Sequence, residues 1–92
     1  MSLFPKAINR ILVTGGSGFI GGTLIRRLLK QKSLTVFNLD KTFCSTSLDF
    51  FQANFGINRY KVLNVDLTNP HETKKAIEFI NPDIIFHLAA ET

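Results

Sequence analysis

The sequence of 92 residues predicts an α/β fold, in which helices alternate with the strands of a parallel sheet. Three observations support this prediction. Short apolar runs typical of buried parallel strands recur along the chain, and stretches with helical periodicity separate them. A glycine-rich stretch lies between the first apolar run and the first helical stretch. The chain is short enough that it forms one domain at most.

The first predicted strand is RILVT, residues 10–14, whose apolar centre suits a strand that is covered on both faces. The first predicted helix follows from about Phe19 to Gln31, because apolar residues recur there at helical spacing. They form one stripe that can lie on the sheet: Ile20, Leu24, Ile25, Leu28 and Leu29.

The second strand is predicted at LTVFNLD, residues 34–40, and it ends on an acidic residue. Residues 41–58 have the weakest pattern of the chain. They predict a short helix, with Ser45 or Ser47 as its N-cap and Gly56 as its stop.

The last two predicted strands flank the most clearly marked helix. The third strand is predicted at RYKVLNVDL, residues 59–67, and the fourth at PDIIFHLAA, residues 82–90. Between them Asn69 is predicted to be an N-cap, with Pro70 at the first helical position and Glu72 three residues after the cap. This succession predicts the strand order 3-2-1-4 with helices on both faces, and a ligand site at the carboxyl ends of strands one and four.

Composition and charge exclude several classes of protein. Hydrophobic residues make up 45% of the chain and charged residues 20%, and no apolar run is long enough to cross a bilayer. The first ten residues lack the basic and apolar regions of a secretory signal, so we expect a cytoplasmic protein with no membrane partner. The net charge of +4 comes from scattered basic residues without interleaved aromatic residues, so no nucleic-acid partner is expected.

The cysteine and the histidines give no sign of a metal site or of redox chemistry. Cys44 is the one cysteine, so it forms no internal disulfide, and no histidine lies near it at metal-ligand spacing. His71 is predicted to be a surface residue in the first turn of a helix. His87 lies between two apolar residues of the fourth strand and is predicted to be a hydrogen-bonded structural histidine.

The glycine-rich stretch, TGGSGFIGG at residues 14–22, has the spacing of a phosphate-binding turn. Gly15 allows a tight turn out of the strand, Gly18 allows a diphosphate to approach the main chain, and Gly21 allows the helix to pack close to the sheet. The amides at the start of the helix are then available to phosphate, and the helix dipole favours negative charge there. The candidate contacts between Gly15 and Gly21 are Ser17, Gly18, Phe19 and Ile20.

Two other interpretations of the glycines compete with this one. The spacing from Gly16 to Gly21 also occurs in P-loops, but residue 22 is glycine, so the lysine that reaches the terminal phosphates is missing. An ATPase or GTPase is therefore not expected. The other interpretation is that the glycines form a turn and bind nothing. The acid at the end of the second strand favours a dinucleotide site over a bare turn.

That acid, Asp40, lies 19 positions after Gly21, where a carboxylate accepts hydrogen bonds from the ribose of a dinucleotide. It also repels a 2′-phosphate, which favours NAD over NADP, although the adjacent Lys41 softens this preference. Asp66 closes the third strand, and with Leu67 it either flanks the adenine or serves as a polar residue of the loop. Strand, glycine turn, helix, strand and acid together predict a Rossmann-type sheet with a dinucleotide site.

With these residues in this order, the chain resembles the N-terminal portion of the extended short-chain dehydrogenase/reductase family. The family fingerprint T-G-x-x-G-x-x-G is met by Thr14, Gly15, Gly18 and Gly21. The segment PDIIFHLAAET, residues 82–92, is similar to the family's fourth strand and to the residues beside the cofactor. The resemblance implies further cofactor contacts, made by Asp66, Leu67, Leu88, Ala89, Ala90 and Thr92.

Within that family the nucleotide-sugar 4,6-dehydratases look most similar, which implies NAD as the cofactor and a nucleotide sugar as the substrate. In their reaction the sugar is oxidised at C4, water is eliminated across C5 and C6, and the cofactor is regenerated. The segment TFCSTS after Lys41 differs from the usual dehydratase sequence, as does Thr92, which stands where serine is usual. A 4-epimerase therefore remains an alternative, and so does a dinucleotide-binding remnant without chemistry.

The catalytic pair that the resemblance implies is not found in this sequence. The family's base is the tyrosine of a Tyr-x-x-x-Lys pair, whereas Tyr60, the one tyrosine, has Asn64 at the fourth position. We therefore expect no catalytic residue, and expect residues 1–92 to be an incomplete N-terminal NAD-binding Rossmann segment without a substrate-binding region. The fourth strand becomes an apolar edge, which predicts self-association, a homo-oligomer, or a second chain that completes the sheet.

Overall fold

A computed structural model describes residues 8–16, 18–41 and 45–88 of the chain. Four strands form one parallel sheet in the order β3-β2-β1-β4, which confirms the predicted order 3-2-1-4. The elements in chain order are β1 (Arg10–Thr14), α1 (Phe19–Leu29), β2 (Thr35–Asp40), α2 (Ser45–Phe55), β3 (Tyr60–Asn64), α3 (Pro70–Ile80) and β4 (Ile84–His87).

The strand register places the carboxyl ends of all four strands side by side. At the end of β1, Thr14 pairs with Leu39 of β2 on one side and with His87 of β4 on the other. The next residue of β2, Asp40, pairs with Asn64 at the end of β3. After β1 the chain passes into α1 on one face of the sheet, and after β3 it passes into α3 on the other face. The carboxyl ends of β1 and β4 therefore flank the point at which the strand order reverses.

Two hydrophobic cores lie on the two faces of the sheet, as predicted for helices on both faces. One core joins Ile11, Val13 and Val36 of the sheet to α1 and α2. The other joins Leu12, Phe37 and Leu39 to α3 and the loop before it. The three central residues of β1 are fully buried because this strand has a neighbour on each edge and a helix on each face.

Helix α3 begins as the sequence predicts. The Asn69 side chain accepts hydrogen bonds from the amides of His71 and Glu72, each at 3.1 Å, and Pro70 occupies the first helical position. The helix ends at Asn81, whose φ of 50° is left-handed.

The weakly predicted helix is present as α2, and it ends before Gly56, whose φ is 110°. Ser45 is its first residue and Ser47 lies inside it, so the prediction of Ser47 as an N-cap is wrong. The helix forms because Phe51 is buried and its ring packs edge-on against the ring of Tyr60, with 5.0 Å between the centroids.

Helix α1 and strand β3 are shorter than predicted, because turns take up the residues at their ends, and β4 begins two residues later than predicted. The amide of Gln31 bonds to Leu28 O and that of Leu34 to Gln31 O, so a turn replaces the end of the predicted helix. After β3, Asn69 N bonds to Asp66 O in another turn. Residues 89 and 90 of the predicted fourth strand lie outside the described residues.

Before β4, the carboxylate of Asp83 accepts the amides of Asn9 and Arg10, both at 2.9 Å. These bonds hold the pKa of Asp83 below its usual value, and that of Arg10 has the larger effect. Within the described residues, no helix has the length and apolar character needed to cross a membrane.

Candidate cofactor-binding site

The glycine turn leaves the carboxyl end of β1 and is tied back to the sheet. Gly15 has a φ of 72°, a left-handed conformation that glycine adopts without strain. Its amide donates to Leu39 O at 3.0 Å, so the turn starts against the end of β2. The structure thus contains the tight turn that the sequence predicts at Gly15.

The second glycine of the turn has a structural partner that the sequence analysis missed. The Gly16 amide donates to Oδ1 of Asn38 at 2.9 Å, and both residues are buried. A Cβ added at Gly16 would lie 2.6 Å from that oxygen, so no larger residue fits there. The available signal was a single amide side chain inside the otherwise apolar core of the predicted strand at residues 34–40.

Gly18, like Gly22 in the first turn of α1, is a glycine that the fold itself does not require. It is the N-cap of α1, with φ −80° and ψ 178°, a conformation open to any residue. A Cβ added there would find no heavy atom within 4 Å. An interpretation in which the glycines only form a turn explains Gly15 and Gly16 but not Gly18. The open space beside this residue is what a bound diphosphate needs.

Gly21 brings α1 against the glycine turn rather than against the sheet itself. A Cβ added at this buried residue would lie 2.5 Å from Cα of Gly16. The closest neighbours of Gly21 are therefore backbone atoms of the turn. The prediction that this glycine lets the helix pack against the sheet is wrong in that detail.

The first amides of α1 are placed where the sequence predicts a phosphate site. The first backbone bond of the helix runs from Gly22 N to Gly18 O at 2.9 Å. Between described residues, no hydrogen bond is formed by the amides of Gly18, Phe19 and Ile20. The side chains of Phe19 and Ile20 are 90% and 72% exposed, so the prediction that Ile20 belongs to the apolar stripe on the sheet is wrong. Ser17 lies outside the described residues.

The two acids of the predicted site lie on the same edge of the sheet, in different surroundings. Asp40 is half-buried at the end of β2, directly after the residue that accepts the Gly15 amide, and Lys41 beside it is exposed. Leu67 is half-buried against the core on the α3 face. The structure therefore brings the predicted ribose acid next to the glycine turn.

Asp66 is engaged in its own loop. Its Oδ1 accepts the Thr68 hydroxyl at 2.6 Å and the Thr68 amide at 3.0 Å. These two hydrogen bonds hold the pKa of Asp66 below its usual value, and the charge of Lys41 adds a smaller effect in the same direction. This geometry is that of a loop residue before Asn69, and contact with an adenine stays a prediction.

The histidines take the places that the sequence predicts. His87 Nδ1 lies 2.6 Å from Oγ1 of Thr14, which links the ends of β4 and β1. His71 is exposed on α3. Leu88 continues the pairing of β4 through its amide, which donates to Thr14 O at 2.9 Å.

Besides Ser17, three of the predicted contacts, Ala89, Ala90 and Thr92, lie outside the described residues, and so does Cys44. In the part of the chain that the structure describes, no three His, Cys, Asp or Glu side chains are grouped so that they could hold a metal ion.

The sequence matches a known protein family over most of its length. Residues 12–92 match the family model described as GDP-mannose 4,6 dehydratase. The chain is 36% identical over 83 residues to dTDP-glucose 4,6-dehydratase of Salmonella typhimurium, covering 90% of this chain and 23% of that protein. It is 34% identical over 85 residues to the human dTDP-D-glucose 4,6-dehydratase, covering 91% of this chain and 24% of the human protein. The chain thus spans about a quarter of the length of these relatives.

Solved structures show the same fold. A dTDP-glucose 4,6-dehydratase from Bacillus anthracis in complex with NAD superposes with a TM-score of 0.75 at 24% identity, over 90% of this chain and 27% of that one. A UDP-glucuronic acid 4-epimerase from Bacillus cereus in complex with NAD superposes with a TM-score of 0.68 at 29% identity, over 90% of this chain and 28% of that one.

Proposed function

This chain belongs to the family described as GDP-mannose 4,6 dehydratase, within the extended short-chain dehydrogenase/reductases, and from that premise we propose that it is the NAD-binding portion of a nucleotide-sugar 4,6-dehydratase of the dTDP-glucose type. The single observation that carries the proposal is the open space at Gly18. At this position the fold tolerates a side chain, yet the sequence keeps a glycine. A diphosphate that approaches the main chain supplies the missing reason.

In this proposal, different residues of the turn position it and bind the diphosphate. Gly15 and Gly16 fix the turn to β2, and the amides of Gly18, Phe19 and Ile20 receive the diphosphate at the positive end of the helix dipole. NAD supplies the redox chemistry when it is bound, and the protein orients it. The proposed contact set is completed by Ser17, Gly21, Asp40, Lys41, Asp66, Leu67, Leu88, Ala89, Ala90 and Thr92.

Asp40 selects the dinucleotide in this proposal. Its carboxylate accepts hydrogen bonds from the ribose hydroxyls of NAD, and its charge repels the 2′-phosphate of NADP. Lys41, exposed beside it, weakens the repulsion. We therefore expect a preference for NAD that is real but moderate.

The activity of a whole protein that contains this chain is also proposed from the family. We propose a cytoplasmic enzyme in which residues 1–92 form the N-terminal NAD-binding segment and other residues hold the nucleotide sugar. In the 92-residue chain itself, the edge of β4 is proposed to associate with a second copy. A nucleotide-sugar 4-epimerase is the second candidate, since the Bacillus cereus epimerase is 29% identical to this chain over the shared fold.

Calorimetric titration of the chain with NAD and NADP tests the proposal. NAD should bind more tightly than NADP, and Asp40→Ala should lower the NAD affinity about ten- to hundred-fold, the value of hydrogen bonds to a charged group. The same substitution should narrow the difference between the two dinucleotides, because the repulsion is lost.

Asp49→Ala is the matched control, since it removes an exposed carboxylate from α2. It should leave both affinities unchanged. A wild-type chain that binds neither dinucleotide, or an Asp40→Ala variant that binds NAD as the wild type does, would contradict the proposal.

A further inference from the structure

We infer that Asn38 is a positioning residue for the glycine turn: its side-chain amide, anchored by Tyr60, holds the Gly16 amide inside the protein and so fixes the turn in the shape that receives a diphosphate. This inference rests on the proposed function and deepens it. The inference concerns Asn38 and Tyr60, a buried polar pair beneath the turn that the family fingerprint does not contain.

Asn38 lies in an apolar place and is only 1% exposed. It stands in the middle of β2, between Phe37 and Leu39, which belong to the core on the α3 face. Side chains alternate along a strand, so Asn38 lies on the other face, beneath the glycine turn. A buried amide there is costly unless it is paired, and both of its polar atoms are paired: Oδ1 with Gly16 N at 2.9 Å and Nδ2 with Tyr60 Oη at 3.3 Å.

The chemistry of the partners fixes which way the amide points. A backbone N–H only donates, so the atom that faces Gly16 has to be the oxygen of Asn38. The nitrogen then faces the Tyr60 hydroxyl, which accepts from it. Tyr60 is itself 2% exposed, and its ring is held against Phe51. The Gly16 amide thus sets which atom of Asn38 faces the turn, and Tyr60, held against α2, anchors the other end of the side-chain amide.

The turn is closely surrounded where Asn38 holds it. A Cβ added at Gly16 would lie 2.6 Å from Oδ1 of Asn38 and 2.8 Å from Cδ1 of Ile25. A Cβ added at Gly21 would lie 2.5 Å from Gly16. The Gly16 peptide is therefore enclosed by β2 on one side and by α1 on the other. Because Gly16 is already held in place, diphosphate binding does not have to order this residue.

The two replacements closest in size, aspartate and leucine, each lack part of what Asn38 supplies. Aspartate has the accepting oxygen but places a charge in the core and cannot donate to Tyr60 when ionised. Leucine has a similar size but leaves the Gly16 amide buried without an acceptor. With leucine the turn loses the bond that holds Gly16, while the ribose acid on β2 remains.

The experiment compares ligands that contain a diphosphate with one that does not. In Asn38→Leu, the affinities for NAD and ADP should each fall at least about tenfold, a free-energy change of 1.4 kcal/mol. The affinity for adenosine, measured by NMR titration, should stay within about twofold of the wild-type value. Asn54→Leu, the same change at an exposed residue of α2, should alter none of the three affinities.

Tyr60→Phe keeps the ring contact with Phe51 and removes only the hydroxyl that accepts from Asn38. It should show a smaller loss for NAD and ADP, again with adenosine unchanged, and it gives a result if Asn38→Leu does not fold. A loss for adenosine equal to that for ADP, or no loss for ADP in either variant, would overturn the inference.

Hydrogen exchange of the wild-type chain without ligand separates this inference from the proposed function. The Gly16 amide should exchange far more slowly than the Gly18 amide, because only the former is bonded internally. If the chain binds no dinucleotide but shows this protection, the proposed function is wrong and the role of Asn38 in the turn stands. Fast exchange at Gly16 overturns that role.

Discussion

Gly21 lies where the first turn of α1 comes closest to the glycine turn. Its missing Cβ leaves room for the backbone of Gly16, and an added methyl group would lie 2.5 Å from it. Gly21→Ala should therefore lower the free energy of unfolding by about 1–3 kcal/mol, the usual cost of overpacking. Urea denaturation followed by circular dichroism measures this change.

The next residue provides the control for that substitution. Gly22 is also in α1, but a Cβ there would meet nothing within 4 Å. Gly22→Ala should stabilise the protein by up to about 1 kcal/mol, since alanine is the better helix former. Equal stability of Gly21→Ala and the wild type would show that α1 is not constrained by the turn.

For single residues, the sequence predicted the structure where the residue type has one usual structural role. The spacing of Gly15, Gly18 and Gly21 predicted a tight turn, an open approach and close packing on the sheet. The structure contains the turn and the open space, whereas Gly21 packs against the turn and not against the sheet. Prediction failed for Asn38, because an amide inside an apolar strand reveals its partner only once the fold brings Gly16 over it, 22 residues away in sequence.

Among the elements, α3 and α2 show which helices a sequence can predict. The start of α3 was predictable because Asn69 and Pro70 act locally, within the first turn of the helix. Helix α2 was weakly predicted because its stability depends on a distant contact, the packing of Phe51 against Tyr60 on β3. Local signals reveal the former kind of helix, and tertiary packing decides the latter.

Arg59 lies just before β3, at the amino-terminal ends of the strands, and binds the segment that connects α1 to β2. Its half-buried guanidinium donates to the carbonyl oxygens of Leu29, Gln31 and Leu34 at 2.7–2.8 Å, which fastens the end of α1 and the turn before β2. Arg59→Ala should lower the free energy of unfolding by about 2–3 kcal/mol, because three carbonyls lose a charged donor. Chemical denaturation measures the loss.

Two variants test whether the geometry of Arg59 matters. Arg59→Lys should recover only part of the lost stability, since an ammonium group cannot span three carbonyls as the planar guanidinium does. Lys61→Ala, at an exposed position of β3, should change the stability by less than about 0.5 kcal/mol. Full stability in Arg59→Ala would contradict the role assigned to the guanidinium.

At the scale of the whole molecule, the sheet has an edge at β4. Within the described residues β4 pairs only with β1, and Ile85 on this strand is 48% exposed. An exposed apolar edge strand favours association with another chain. The melting temperature of the 92-residue chain should therefore rise with protein concentration, and sedimentation velocity should detect species larger than a monomer.

Placing a charge on that edge should weaken the association. Ile85→Lys is expected to shift the sedimentation profile toward the monomer, whereas Ile57→Lys, the same change at a 68% exposed residue before β3, should not. A wild-type chain that sediments as a monomer at every concentration, with a constant melting temperature, would contradict association through β4.

The bond from the Asn9 amide to the Asp83 carboxylate joins residues 74 positions apart, and it marks where β1 receives its second neighbour. On a ribosome, β1 is made early but acquires that neighbour only after the intervening residues have been added. At about 5–20 residues per second this takes roughly 4 to 15 seconds. During that interval the most buried strand of the native sheet has an open edge, within reach of any chaperone that attends the nascent chain.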